Sequence, residues 1–166
     1  MDAQGAPEIK IRKEVNNMNT KTLKTCSILC AALMLVLILF HWMPFWTVNG
    51  ESVSLQEYVW NCTEHGEVTK YLESVDAQFG INDFVTLPLF VFVAAVVGTV
   101  FCLAKPRSHW ASILPAISGL LGGIADLTDP ALQAGALWVL HLLLCIAILA
   151  LSVVTFYFRS KSKGEE

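Results

Sequence analysis

Four stretches of this chain carry no charged side chain. Residues 25–50, 84–104, 108–125 and 130–158 contain no Asp, Glu, Lys or Arg, over 26, 21, 18 and 29 residues. A helix needs about 20 apolar residues to cross the hydrocarbon core of a bilayer, within a range of about 17–25. All four stretches meet that length. Charged residues are only 15% of the chain, where about 25% is ordinary for a soluble domain. So little charge cannot cover so much apolar surface in water. A cytosolic globular enzyme, a nucleic-acid binder and a disordered chain are therefore excluded.

The expected fold is an all-α membrane protein, a four-transmembrane-helix bundle with spans at about 24–44, 84–104, 109–126 and 132–157. The membrane domain covers 21–160, with an external cap at 45–83. Residues 1–20 are expected to be a disordered cytoplasmic tail, and 161–166 a short cytoplasmic tail. The apolar run of the first span is too long for a signal-peptide core, and Leu29 before Cys30 spoils a lipobox. A retained signal-anchor helix is expected. Met18 opens a stretch, MNTKTLKT, that itself resembles a protein start.

Lysine and arginine bias sets orientation. Ten of the eleven basic residues fall at the chain ends and in the 105–107 turn, and Lys70 alone falls on the other side. This predicts cytoplasmic N- and C-termini in a multi-pass protein of the cell membrane. The external side then carries a formal charge of −8 and the internal side +5, which the net charge of −3 conceals.

The loop after the first span has local order of its own. Asn49-Gly50 lies between β-favouring residues, Phe45-Trp46-Thr47-Val48 and Glu51-Ser52-Val53, which signals a two-residue hairpin turn. Ser54 and Glu57 have the spacing of a capping box. Leu55, Tyr58, Val59 and Cys62 follow at helical spacing, and Val68, Tyr71, Leu72, Val75 and Phe79 make a second short amphipathic pattern. The cap is thus read as a hairpin plus two small helices. Glu57, Trp60, Glu64, Glu67 and Tyr71 are its candidate recognition surface, weighed against a lid that merely covers the bundle. Asn61-Cys62-Thr63 is an N-glycosylation sequon, relevant only in a secretory-pathway host. Cys62 is either free or paired between chains.

Within the spans, Ser112, Ala116, Gly119 and Gly123 recur on one face, matched by Ala94 and Gly98 in the second span. Small residues let helices approach closely in lipid. Intramolecular packing is the plainer explanation, and self-association into a homo-oligomer is the other. Pro88 and Pro115 fall inside spans, where each frees a helix carbonyl. His141 is the ionisable residue set well inside a span; counting from residue 132 places it roughly 14 Å deep. It shares a face with Trp138, Cys145 and Ser152. Asp126 is its candidate partner, provided that the third span tilts towards it. A structural role on a carbonyl or hydroxyl competes with a functional one in proton or ligand contact.

The four histidines are scattered, with no two at i, i+4, so no metal centre is expected. Nor is there a nucleophile–base pair, a phosphate loop or an intramembrane carboxylate pair. The chain is expected to be no enzyme and to need no cofactor. Its partners would be the lipid bilayer and a protein, with no nucleic acid. The function expected is interaction through the acidic cap, as an accessory subunit, a membrane organiser or a sensor. The alternative is an oligomeric small transporter or channel component, with His141 and the glycine face lining a path.

The run MPFWTVNGESVSLQEYVW, which closes the first span and opens the loop, resembles small four-span bacterial membrane proteins of unassigned function. That resemblance implies a fold and a bacterial host. Trp46 with Trp60-Asn61-Cys62 is similar to the tryptophan–cysteine signature of claudin-like proteins, which also have four helices and a β-containing first loop. The chain departs from that pattern: the second loop cysteine is missing, and the tryptophan-to-cysteine spacing is one residue short.

Overall fold

The computed structural model describes residues 5–55, 57–58, 70, 74, 81–133, 135 and 137–163. Its elements in chain order are α1 (Gly5–Trp42), β1 (Trp46–Val48), β2 (Glu51–Val53), α2 (Ile81–Ala104), α3 (Trp110–Thr128), α4 (Pro130–Gln133) and α5 (Trp138–Lys163). Four helices are long and apolar enough to cross a membrane, over Asn19–Trp42, Leu87–Ala104, Trp110–Thr128 and Trp138–Lys161. Only 28–44% of each of these windows is buried inside the protein, so their remaining apolar surface faces outward. Leu29 and Leu39 on α1, Phe90 and Val100 on α2, Leu120 on α3 and Leu143 and Val153 on α5 all stand exposed. Helices apolar on every side belong in lipid, and this supports a multi-pass membrane protein.

The four long helices run alternately up and down and pack in the cyclic order α1, α2, α3, α5, with little contact across the diagonal from α1 to α3. One end of the bundle carries the hairpin and α4. The other carries the chain ends and the turn at 105–109. The N-terminal residues differ from the expected disordered tail: α1 reaches back to Gly5. Extending a helix already formed requires no new nucleus, and Ala, Glu, Lys and Arg are good helix formers.

The hairpin forms where Asn49-Gly50 predicts it. Asn49 has φ +51° and Gly50 φ +86°, the pair of positive values that a type I′ turn requires. β1 and β2 pair antiparallel with Trp46 opposite Val53 and Val48 opposite Glu51. Phe45 N–H donates to Val53 O at 3.0 Å and lengthens the ladder towards α1. The capping box follows at once: Ser54 N–H and its hydroxyl both donate to Glu57 Oε2, at 2.8 and 2.9 Å. Glu57 N–H returns a bond to Ser54 Oγ at 3.4 Å. Most of the two small helices expected beyond this point lies outside the described residues, as do Trp60, Glu64, Glu67 and Tyr71.

Two apolar clusters hold the molecule together. One fills the mid-bundle with Cys30, Met34 and Leu37 of α1, Val91, Ala95 and Cys102 of α2, and Cys145 and Ile148 of α5. The other lies at the hairpin end, where Phe45, Trp46, Val48, Leu55 and Tyr58 pack on Ala125 and Ala131. The hairpin is thus a plug seated on the helix ends.

Small residues on α3 set the closeness of the bundle. Its buried face is Ala111, Ser112, Pro115, Ser118, Gly119, Gly122, Ala125 and Asp126. Ser112 and Gly119 of the expected stripe lie on this face, while Ala116 and Gly123 lie half-buried at its edge. A Cβ on Gly119 would stand 2.7 Å from Cys145 O and 3.0 Å from Leu149 N, so two backbones nearly touch there. A Cβ on Gly98 would meet Met34 Sδ at 3.1 Å and Leu114 Cβ at 3.2 Å, and Ala94 beside it is buried. Gly98, Gly119 and Gly122 are thus occupied by packing within one chain.

Candidate functional site

Antiparallel packing of α3 against α5 puts two ladders of residues in register. Asp126 and Gly122 lie one turn apart on α3, and His141 and Cys145 one turn apart on α5. Asp126 therefore meets His141, and Gly122 meets Cys145. His141 Nδ1–H donates to both carboxylate oxygens of Asp126 at 2.8 Å. Cys145 Sγ lies 3.8 Å from the same nitrogen. Donor atoms of Asp126, His141 and Cys145 all lie within 4.8 Å of one another. Asp126 and Cys145 are wholly buried, and His141 is 3% exposed.

The depth of His141 differs from the expected value. The last helix begins at Trp138, so His141 sits only three residues in, about 4–5 Å along the axis. The cause lies in the preceding residues. Asp129 ends α3, its Oδ1 accepts from Ala131 N–H at 2.9 Å, and Pro130 opens the separate short helix α4. Gln133 Nε2 turns back to donate to Leu127 O at 2.8 Å and to Asp126 O at 3.4 Å, covering carbonyls left free where α3 stops. Leu132 and Gln133, which sequence counting placed inside the span, belong instead to α4.

Aromatic rings enclose the cluster. Phe45 lies 4.9 Å from the His141 ring, tilted by 36°, and Phe40 meets it edge-on at 5.6 Å. His41 stands 5.8 Å from His141, with its Nδ1–H donating to Leu37 O at 2.8 Å. Trp46 packs edge-on against His41 and stacks on Tyr58 at 5.6 Å. Tyr58 O–H donates to Asp129 Oδ2 at 3.1 Å, which ties the post-hairpin turn to the α3–α4 junction. Trp46 Nε1 is buried with no hydrogen-bond partner among the described residues.

Sequence reasoning singled out Asp126 and His141, and the structure brings them into direct contact. The sequence pattern placed Cys145 on the face of His141 without joining it to Asp126, and it left His41 out. Signals for both existed. His41 continues the buried face Cys30, Met34 and Leu37 of α1 at helical spacing, and Cys145 lies one turn after His141. At the opposite end, buried Arg159 of α5 donates to Ser112 Oγ and, at 2.8 Å, to Pro106 O, which fixes the α2–α3 turn against the last helix. Cys26, Cys30, Cys102 and Cys145 are free thiols.

The fold and site together define a four-helix membrane-type bundle with a carboxylate, an imidazole and a thiol buried under an aromatic plug. Compared with known proteins, the chain matches no family model, no curated protein and no solved structure.

Proposed function

We propose that this chain is a non-enzymatic, multi-pass protein of the cell membrane with cytoplasmic termini, acting as a sensor through its acidic external segment. One observation carries this reading. The segment after α1 does not stand apart from the bundle; it is seated in it. Phe45 lies on His141, and Tyr58 is bonded to Asp129. An event that displaces the external segment must therefore disturb the helix ends that hold Asp126 and His141. Residues 45–83 hold seven acidic side chains and one lysine, and that charge favours cationic partners. The close approach of Gly119 to α5 weighs against the transport alternative, which needs that residue on a path, although Gly123 stands at the edge of the packed face.

Crosslinking in native membranes, followed by mild-detergent capture, tests the reading. The expected result is a partner held by the wild-type chain and lost when Glu57, Glu64 and Glu67 are replaced together by Gln. A partner retained by that triple variant, or none captured at all, overturns it.

A further inference from the structure

The geometry points to a binding site for one borderline-soft divalent transition-metal ion, of the zinc class, at Asp126, His141 and Cys145. The inference deepens the sensing reading, on which it rests, by naming what the buried end of the sensor takes.

The donor set is the first argument. Imidazole, thiolate and carboxylate are the usual zinc ligands, with bonds of about 2.0–2.3 Å. In a tetrahedral site those lengths hold donor atoms about 3.3–3.7 Å apart. Cys145 Sγ and His141 Nδ1 are 3.8 Å apart, close to that separation as they stand. The carboxylate lies at 2.8 Å from Nδ1, and it has only to draw back by roughly half an ångström to admit an ion between them. A thiolate ligand together with a single carboxylate disfavours Mg²⁺ and Ca²⁺, which call for several oxygen ligands.

The second argument is charge. A buried site tolerates little net charge. A divalent ion with one carboxylate, one thiolate and one neutral imidazole is formally neutral. Binding moves the Cys145 thiol proton to solvent as the metal–sulfur bond forms, and Nδ1 gives up its proton as the other ring nitrogen gains one. No electron is transferred.

The third argument is preorganisation. His141 and Cys145 project from one face of one helix, a turn apart, and need no chain rearrangement to act together. Gly122 has no side chain where a Cβ would lie 2.6 Å from Cys145 Sγ, which leaves room for the sulfur on the face that carries Asp126. Phe40, Phe45 and His41 shield the cluster from water. Three protein ligands leave a fourth position for water or for an external ligand.

Co²⁺ titration of the full-length protein in detergent, reduced and treated with chelator beforehand, tests the site. The wild type is expected to bind one Co²⁺ per chain. It should show a thiolate-to-cobalt charge-transfer band and the intense visible bands of four-coordinate cobalt. Zn²⁺ should displace the Co²⁺, and Mg²⁺ and Ca²⁺ should not. Cys145→Ser should remove the charge-transfer band. Cys145→Ser, Asp126→Asn and His141→Gln should each weaken affinity by more than the roughly 10–100-fold that loss of an outer-shell partner costs. Cys26→Ser should change nothing. A wild-type chain without cobalt bands overturns the inference whatever the variants do, and so does a charge-transfer band that survives in Cys145→Ser. Either result leaves the partner-capture experiment standing, since that reads the charged surface and not the buried site.

Discussion

Gly122 and Cys145 share a space that holds only one side chain. A Cβ on Gly122 would lie 2.6 Å from Cys145 Sγ, while the Cβ of Cys145 would be at an ordinary 3.8 Å. Gly122→Ala is therefore expected to destabilise the bundle by about 1–3 kcal/mol, the usual cost of overpacking. Adding Cys145→Ala removes the clashing sulfur and should recover most of that loss. Gly119→Ala should cost at least as much and find no such rescue, because its clash is with the Cys145 and Leu149 backbone. Gly123→Ala, which meets only Leu142 Cδ1 at 4.0 Å, should be near neutral. Unfolding of the three single variants and the double variant in mixed detergent micelles checks the whole pattern.

Pro115 creates a need that Cys102 meets. A proline has no N–H to offer the carbonyl four residues back, so the helix of α3 leaves Ala111 O without its donor. Cys102 of α2 donates its thiol to that oxygen at 3.2 Å. Cys102→Val should cost about 1 kcal/mol by leaving the buried carbonyl unmet. The same change in a Pro115→Ala background should cost less, because the restored N–H can close the helix bond. Cys102→Ser, which keeps a donor, should sit between the two. A double-mutant cycle on unfolding free energy measures the coupling, and equal costs in both backgrounds would remove the proposed link.

The spans and the hairpin were legible because each answers to a local rule. A bilayer demands about 20 uncharged residues, and Asn49-Gly50 suits the positive φ of its turn. The rotation of α3 was harder to read. Ala116 and Gly123 fit a small-residue stripe with Gly119, but Pro115, Ser118 and Gly122 make an equally small stripe one residue over. Both are small, so the choice rests on what α2 and α5 present, which a single helix does not encode. The depth of His141 was misjudged for a similar reason. It depends on where Asp129 and Pro130 interrupt the chain, whereas apolar length alone runs straight through that turn. The Asp126–His141–Cys145 cluster needed both the rotation and the register of two helices before it could be seen.

The Ser54–Glu57 box gives the exposed hairpin exit a pH dependence. The backbone N–H of Ser54, and then its hydroxyl, hold the Glu57 carboxyl below the usual glutamate range. A carboxyl lowered in the folded state contributes stability that is present above its unfolded value and lost as pH falls through its folded value. The turn at 54–57 should thus be ordered at neutral pH and loosen in acid. Hydrogen exchange at the Ser54 amide should speed up as Glu57 protonates. Glu57→Gln should abolish that acid-dependent step while retaining part of the protection, since the amide oxygen still accepts. An unchanged acid profile in Glu57→Gln would assign the step to another group.

The Asp126–His141 pair gives the sharpest contrast between single and double replacements. Removing one partner of a buried ionic or hydrogen-bonded pair leaves the other desolvated and unmatched, at about 3–5 kcal/mol. Replacing both with apolar groups of similar volume removes the demand along with the supply. Asp126→Leu alone and His141→Phe alone should each destabilise strongly. The double variant should unfold much nearer to wild type, because Phe40 and Phe45 already present an apolar surface to the His141 ring. Stability and sensing then separate. The double variant should be folded but should bind no Co²⁺, and it should still carry the acidic external surface. If the two single costs simply add in the double variant, the residues contribute independently, and the 2.8 Å contact between them is not what holds this end of the bundle.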